Sequence, residues 1–89
     1  MSAVTAPQIE AALREALAPQ QLEVINESHL HAGHAGAAEG SHWRVRIVAD
    51  CMVGANRVAR HRLVYDALRL VIPQGIHALA IEAASPAEA

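Results

Sequence analysis

The fold is decided by the stretch His42-Trp43-Arg44-Val45-Arg46-Ile47-Val48-Ala49. Every second residue is apolar, and this period of two is typical of a strand that buries one face. The stretch therefore predicts a half-buried strand. Its inward face is formed by Trp43, Val45, Ile47 and Ala49, and its outward face by His42, Arg44 and Arg46.

Two further elements are predicted before this strand. Thr5 and Gln8 have the spacing of a capping box, so a helix is expected to begin there and to end at Pro19. Residues 22–26 are short and mostly apolar, and they predict a strand. Residues 27–41 are rich in glycine, alanine, histidine and serine with almost no large apolar side chain, so they predict a loop.

A helix and a strand are predicted after it. Residues 50–54 predict a turn that leaves the sheet, and an additional helical turn is expected near residues 55–59. A second helix follows, with an apolar stripe over residues 63–71. Pro73 and Gly75 are expected to end this helix. Residues 76–82 predict the last strand.

The predicted order is therefore α-β-β-α-β. Three strands with two helices on one face can bury one core, which makes this an α+β two-layer sandwich. A single domain is expected over residues 1–89, with ordered structure over about residues 5–83. Residues 84–89 are expected to form a frayed tail.

The composition excludes several classes of protein. The chain has 89 residues, of which 20 are alanine and 22 are leucine, isoleucine or valine, enough for one modest core. Its one cysteine excludes a disulfide framework and a zinc ribbon built from cysteines. No stretch approaches the ~20 apolar residues of a membrane span. Residues 1–18 lack a basic start followed by an apolar run, so a signal peptide is not expected. A cytoplasmic monomer without membrane contact is expected.

The basic residues are unusual in kind. All 7 are arginine, and 6 histidines accompany a formal net charge of −2, which argues against a general nucleic-acid coat. His29, His31 and His34 lie in the predicted loop, and His42 follows it. Imidazoles in such a loop can turn toward one metal ion, or can simply be polar loop residues.

A second basic group lies at the entrance of the second helix, where Arg57, Arg60 and Arg62 surround His61. Positive charge near a helix N-terminus opposes the helix dipole, so a specific reason for it is expected. Guanidinium groups are suited to phosphates or to carboxylates of a partner protein. Alternatively, one or two of these arginines pair inside the fold with Glu23, Glu27 or Asp50.

His77 and Cys51 are the remaining single candidates. His77 is expected near the rim of the sheet, where a histidine is more often hydrogen-bonded than a ligand, but where it could meet the histidine-rich loop. Cys51 has no neighbouring base or cation in the sequence that would activate it, so an inert thiol is expected. No Ser-His-Asp set, P-loop or dinucleotide fingerprint is present, and the protein is not expected to be an enzyme.

Four segments of the chain resemble the BolA family. They are Glu27-Ser28-His29, Ser41-His42-Trp43-Arg44-Val45, Arg60-His61-Arg62-Leu63-Val64-Tyr65 and His77-Ala78-Leu79. The resemblance runs from about Pro7 to Glu82. It implies a class II KH-like fold, which agrees with the predicted order. It also implies a complex with a monothiol glutaredoxin that shares a bridging 2Fe-2S cluster, with no cofactor in the isolated protein.

The resemblance also implies which residues hold the cluster. The family's ligands are the histidine of the H-A-L motif and a histidine or cysteine of the loop between the first two strands. They correspond here to His77 and to His31, with His29 and His34 as nearby alternatives. Cys51 follows the second strand and does not match the loop cysteine, and His61 belongs to a family block without a ligand role.

Three functions remain open from the sequence. The first is an iron–sulfur accessory protein, in which Arg60 and Arg62 help to dock the glutaredoxin. The second is a DNA-binding transcriptional regulator of stress response and cell morphology, as some bacterial members are described, which would use the region from Arg57 to Arg62. The third is an adaptor without metal. Residues 54–57 do not form a GxxG loop, so the KH-like fold does not by itself imply RNA or DNA binding.

Overall fold

The computed structural model describes residues 4–28 and 42–89. Helices α1 and α2 span Ala6–Leu17 and Arg57–Ala67, and strands β1, β2 and β3 span Gln21–Asn26, His42–Val48 and Ala78–Ala84. Short 3-10 helices at Asp50–Met52 and Ile72–Gln74 lie before and after α2. The predicted α-β-β-α-β order is confirmed.

Helix α1 begins with the predicted capping box. The side-chain oxygen of Gln8 accepts a hydrogen bond from the backbone N–H of Thr5 at 2.8 Å. The helix ends at Ala18, whose φ of 46° lies in the left-handed region, immediately before Pro19. A proline at that point cannot continue the helix, as its position in the sequence predicted.

Strand β2 is the centre of the sheet, whose order is β1-β2-β3. It runs antiparallel to β1 and parallel to β3. The alternation of residues 42–49 is confirmed, since every inward residue is at most 3% exposed. A parallel neighbour requires a crossover connection, and α2 supplies it.

Both helices cover the same face of the sheet, so the two-layer sandwich is confirmed. The largest fully buried side chains come from α1, β2, the first 3-10 helix and the region of α2: Ile9, Leu13, Val45, Ile47, Met52, Val64 and Leu68. They belong to one hydrophobic cluster. In residues 4–28 and 42–89 no helix is both long and apolar enough to cross a membrane.

Helix α2 starts at the arginine group. The side chain of Asn56 accepts a hydrogen bond from the backbone N–H of Ala59 at 2.9 Å and caps the helix. The helical turn predicted near residues 55–59 is therefore the first turn of α2 itself. Arg57, Arg60 and Arg62 lie within its first two turns and not before it.

Strand β3 begins two residues later than predicted. The backbone N–H of Ile76 donates to the carbonyl of Ile72 at 3.1 Å, which holds it in the turn after the 3-10 helix. Gly75 makes this turn with a φ of 147°, a conformation that favours glycine. His77 consequently precedes the strand, and its side chain is exposed.

The end of the chain differs from the expected frayed tail. Ala84 is the last residue of β3, and Ser85 is only 6% exposed. The carboxylate of Glu88 accepts hydrogen bonds from the backbone N–H and the hydroxyl of Ser85, at 2.7 and 3.1 Å. It also forms a 2.8 Å ion pair with Arg60. These contacts connect the C-terminal residues to α2.

Candidate functional site

Two histidines lie at one end of the sheet: His42 begins β2, and His77 directly precedes β3. Strands β2 and β3 are parallel, so both begin at this end, and His42 pairs with Ala78 in the register. His77 directly precedes Ala78 in the chain. We call this end, formed by Ser28, His42 and His77, the histidine end of the sheet.

The two ends of the histidine-rich segment are fixed at the same place. The backbone N–H of Glu27 donates to the carbonyl of His42 at 2.8 Å, and the N–H of His42 donates to the hydroxyl of Ser28 at 3.1 Å. Ser28 is 5% exposed, and its own N–H donates to the side chain of Asn26 at 2.9 Å. The candidates His29, His31 and His34 lie outside the described residues. The described residues that bound that segment, Ser28 and His42, lie at the histidine end of the sheet.

The described residues alone do not make a metal centre. Among residues 4–28 and 42–89, no group of three or more His, Cys, Asp or Glu side chains could hold a metal ion. His77 offers one exposed imidazole.

The arginine group of α2 divides into two kinds of residue. The guanidinium of Arg60 donates to the carbonyls of Ala55 and Ala83 at 2.8 and 3.1 Å, in addition to its ion pair with Glu88. Its side chain is 16% exposed. Arg57 and Arg62 are exposed, and neither forms an ion pair with another residue of the described ranges. Arg60 thus serves the fold, whereas Arg57 and Arg62 present their charge to solvent.

The ion pair of Arg60 changes the chemistry of the C-terminal turn. The hydrogen bond from Arg60, followed by those from Ser85, lowers the pKa of Glu88 from its ordinary value of 4.5 to about 2. The carboxylate is therefore charged at any physiological pH. Residues 60 and 88 are 28 positions apart, and the sequence holds no local signal that would have paired them.

On the outer face of the sheet, two arginines of β2 form ion pairs with three glutamates. Arg44 lies between Glu27 and Glu82, at 2.8 and 2.7 Å, and Arg46 contacts Glu23 and Glu82 at 3.3 and 3.4 Å. The hydrogen bond from Arg44 lowers the pKa of Glu82, and the bond to Glu27 raises the pKa of Arg44. The strand register pairs Arg46 with both Glu23 and Glu82, and Glu27 directly follows β1.

The alternative in which the α2 arginines pair with Glu23, Glu27 or Asp50 is therefore wrong. Asp50 accepts a hydrogen bond from the side chain of Gln20 at 2.8 Å. Cys51 is exposed on the 3-10 helix that follows β2, at the opposite end of that strand from His42. It does not belong to the histidine end of the sheet.

Comparison with known proteins gives consistent matches. The family model described as "BolA-like protein" matches residues 13–88. An uncharacterised protein of a Sinorhizobium species is 52% identical over 83 residues, covering 90% of this chain and 89% of its own. The BolA domain of SufE1 from Arabidopsis thaliana has a TM-score of 0.85 and 40% identity, covering 98% of this chain and 100% of its own.

A third relative carries a functional name. The DNA-binding transcriptional regulator BolA of Escherichia coli is 40% identical over 73 residues, covering 82% of this chain and 68% of its own. The plant and animal relatives are longer, and this chain spans between 23% and 61% of their length. The region that these relatives share with the chain covers between 82% and 90% of its residues.

Proposed function

The chain belongs to the BolA family, and on that premise we propose that it is an iron–sulfur accessory protein that binds a monothiol glutaredoxin. In this complex the two proteins share a bridging 2Fe-2S cluster for cluster trafficking or for iron and redox regulation. The protein acts by binding, not by catalysis. Its single cysteine suits a reducing compartment such as the cytoplasm.

One observation carries this proposal, namely the convergence at the histidine end of the sheet. His77 is exposed one residue before β3. The two anchors of the histidine-rich segment are Ser28, which follows the end of β1, and His42, which begins β2, and both lie at this end of the sheet. A bridging cluster needs ligands from each protein, and His77 with one histidine of that segment would supply this chain's share. We assign the second ligand to His31, with His29 and His34 as the alternatives.

The choice of imidazole has a chemical consequence. When bound, a cluster that has histidine in place of thiolate on one iron has a higher reduction potential than one held by four cysteines. The ring nitrogens must be deprotonated to act as ligands, so the affinity of this side of the site falls as the pH drops. Such a site is suited to transfer and sensing.

The test uses a monothiol glutaredoxin loaded with a 2Fe-2S cluster under anaerobic conditions. Addition of this protein is expected to change the visible absorption and circular dichroism of the cluster. The His77→Ala variant should abolish that change, whereas the matched control His61→Ala, on α2, should retain it. An unchanged spectrum with the native chain, or the same change with His77→Ala, would contradict the proposal.

The second ligand is identified by the same titration. His31→Ala is expected to reduce the spectral change more than His29→Ala or His34→Ala does. Iron and sulfide analysis of the co-purified complex gives the stoichiometry. Glutaredoxin binding that persists in the His31→Ala, His77→Ala double variant, with no iron or sulfide in the native complex, would support the adaptor function instead.

A second function is favoured by the free charge on α2. Arg57 and Arg62 are exposed at the start of the helix, and a relative from Escherichia coli is named as a DNA-binding transcriptional regulator. DNA binding through these residues would weaken steeply with salt, because neutralised phosphates release counterions. Its test is the salt dependence of binding to a promoter fragment by the native chain and by Arg57→Ala, Arg62→Ala. If the affinity for DNA falls equally steeply with salt in the native chain and in the variant, these arginines do not bind DNA. Arg60→Ala is unsuited to the test because it would also remove the contacts of Arg60 with Ala55, Ala83 and Glu88.

A further inference from the structure

The outer edge of β3 presents free backbone groups. The carbonyl of Ala84 accepts a hydrogen bond from the N–H of Ala49 at 3.1 Å, so Ala84 faces β2. Backbone groups of successive strand residues turn to opposite sides, and those of Leu79, Ile81 and Ala83 therefore turn away from β2. The bond from Arg60 to the carbonyl of Ala83 at 3.1 Å agrees with this direction.

Arg60 covers only one end of this edge. In the sheet formed by the described strands, β3 is an outer strand with β2 as its one neighbour. No backbone hydrogen bond within the described residues uses the outward groups of Leu79 and Ile81. An edge strand with unpaired N–H and C=O groups is a template for one more strand.

A basic groove runs beside the edge. Its volume is about 330 Å³, and it is lined by Arg57, Arg60, His61, Ile81 and Ala83. The ion pair with Glu88 neutralises Arg60, but Arg57 has no such partner among the described residues, and the first turn of α2 contains no acidic residue. The N-terminus of α2 adds positive potential. The groove therefore favours a carboxylate.

We propose that an extended segment of another protein, bearing a glutamate or aspartate side chain, adds to the edge of β3 as a fourth strand. Its backbone pairs with Leu79 and Ile81, and its carboxylate lies at Arg57. This inference needs neither the cluster nor the histidines, so it goes beyond the function proposed above. A nucleic-acid strand fits less well, because no Phe, Tyr or Trp side chain lines the groove to stack on a base.

The test follows backbone amides by NMR in the intact chain. In the free protein, the amides of Ala80 and Glu82 should exchange with solvent slowly, and those of Leu79 and Ile81 quickly. The probe is a synthetic peptide of eight residues with alternating valine and threonine and a central glutamate. At millimolar concentration it should slow the exchange of Leu79 and Ile81. The same peptide with N-methyl groups on its pairing face should not.

Charge is tested with Arg57→Glu and the matched control Arg14→Glu, an exposed arginine on α1. Arg57→Glu should lower the affinity for the glutamate peptide about fivefold, since a solvent-exposed ion pair contributes up to ~1 kcal/mol. Arg14→Glu should leave this affinity unchanged. Replacement of the peptide's glutamate by glutamine should produce a similar loss.

Three results would overturn the proposal. The first is unchanged exchange of Leu79 and Ile81 with the glutamate peptide. The second is protection of these amides that rises with the concentration of the protein alone, which would assign the edge to a second copy of the chain. The third is displacement of the peptide by a single-stranded oligonucleotide at micromolar concentration, which would assign the groove to nucleic acid.

Discussion

The two ends of the sheet use their polar residues in opposite ways. At the end where β3 finishes, Arg60, Ser85 and Glu88 are tied to one another and to the carbonyls of Ala55 and Ala83. At the histidine end, His77 is exposed and lies next to the anchors of the histidine-rich segment. Polar side chains that are hydrogen-bonded or ion-paired within the protein stabilise its fold. Polar side chains that stay exposed are available to bind a ligand. The contrast predicts that stability effects decrease from the first end to the second.

Arg60→Ala is expected to have the largest effect. It leaves the carbonyls of Ala55 and Ala83 without their donor and removes the ion pair with Glu88, so the free energy of unfolding should fall by about 2 kcal/mol. Chemical denaturation monitors the change. Arg62→Ala, two residues away on the exposed side, is the control and should change stability little. Equal losses in the two variants would contradict the structural role of Arg60.

The C-terminal turn is expected to make stability depend on acid pH. The pKa of Glu88 is lowered from 4.5 to about 2, so the folded state favours its charged form. Its contribution is complete above pH 4.5 and is lost as the pH falls toward 2. The melting temperature of Glu88→Gln should therefore fall less over this range than that of the native chain. Parallel curves for the two proteins would show that the ion pair contributes nothing.

Arg57→Glu is expected to stabilise the protein slightly. Arg57 has no ion pair within the described residues, and a negative charge in the first turn of α2 complements the helix dipole, which is worth about 0.5 kcal/mol. Thermal unfolding at low salt measures the gain, and added salt should reduce it. A loss of stability would show that Arg57 has a structural partner.

His77→Ala is expected to have the smallest effect on stability, within about 0.5 kcal/mol of the native chain, because its side chain is exposed. The same variant is expected to lose the cluster signal completely. Denaturation of the isolated protein, run beside the glutaredoxin titration, separates the two effects. A marked loss of stability in His77→Ala would make the histidine end structural, and the contrast between the two ends would disappear.

Much of the fold is predictable because its signals are local. The capping box of Thr5 and Gln8 and the alternation around Val45 each need only a few neighbouring residues to be recognised. The apolar stripe over residues 63–71 predicts the second helix but not its end, because α2 already ends at Ala67. The start of β3 was misplaced because Ile76 is apolar yet belongs to a turn after the 3-10 helix. An apolar residue can be buried equally well in a strand or in a turn, so its hydrophobicity does not distinguish the two.

The electrostatic partners were not predictable in the same way. The glutamates at 23, 27 and 82 reach the arginines of β2 because the strand register places them opposite or beside one another. The pairing of Arg60 with Glu88 depends on where the end of β3 meets α2. Such contacts follow from the assembled fold, so a sequence shows which charges exist but not which of them remain free.

The chain contains one tryptophan, Trp43, which is 3% exposed and follows His42 at the histidine end of the sheet. A buried indole fluoresces at short wavelength, and a chromophore that absorbs at that wavelength nearby shortens its emission lifetime. Trp43 thus gives the protein an intrinsic optical reporter at the end where ligands are expected, with no competing signal from another indole. The lifetime of that emission would report occupancy of this end in the native chain, without any label.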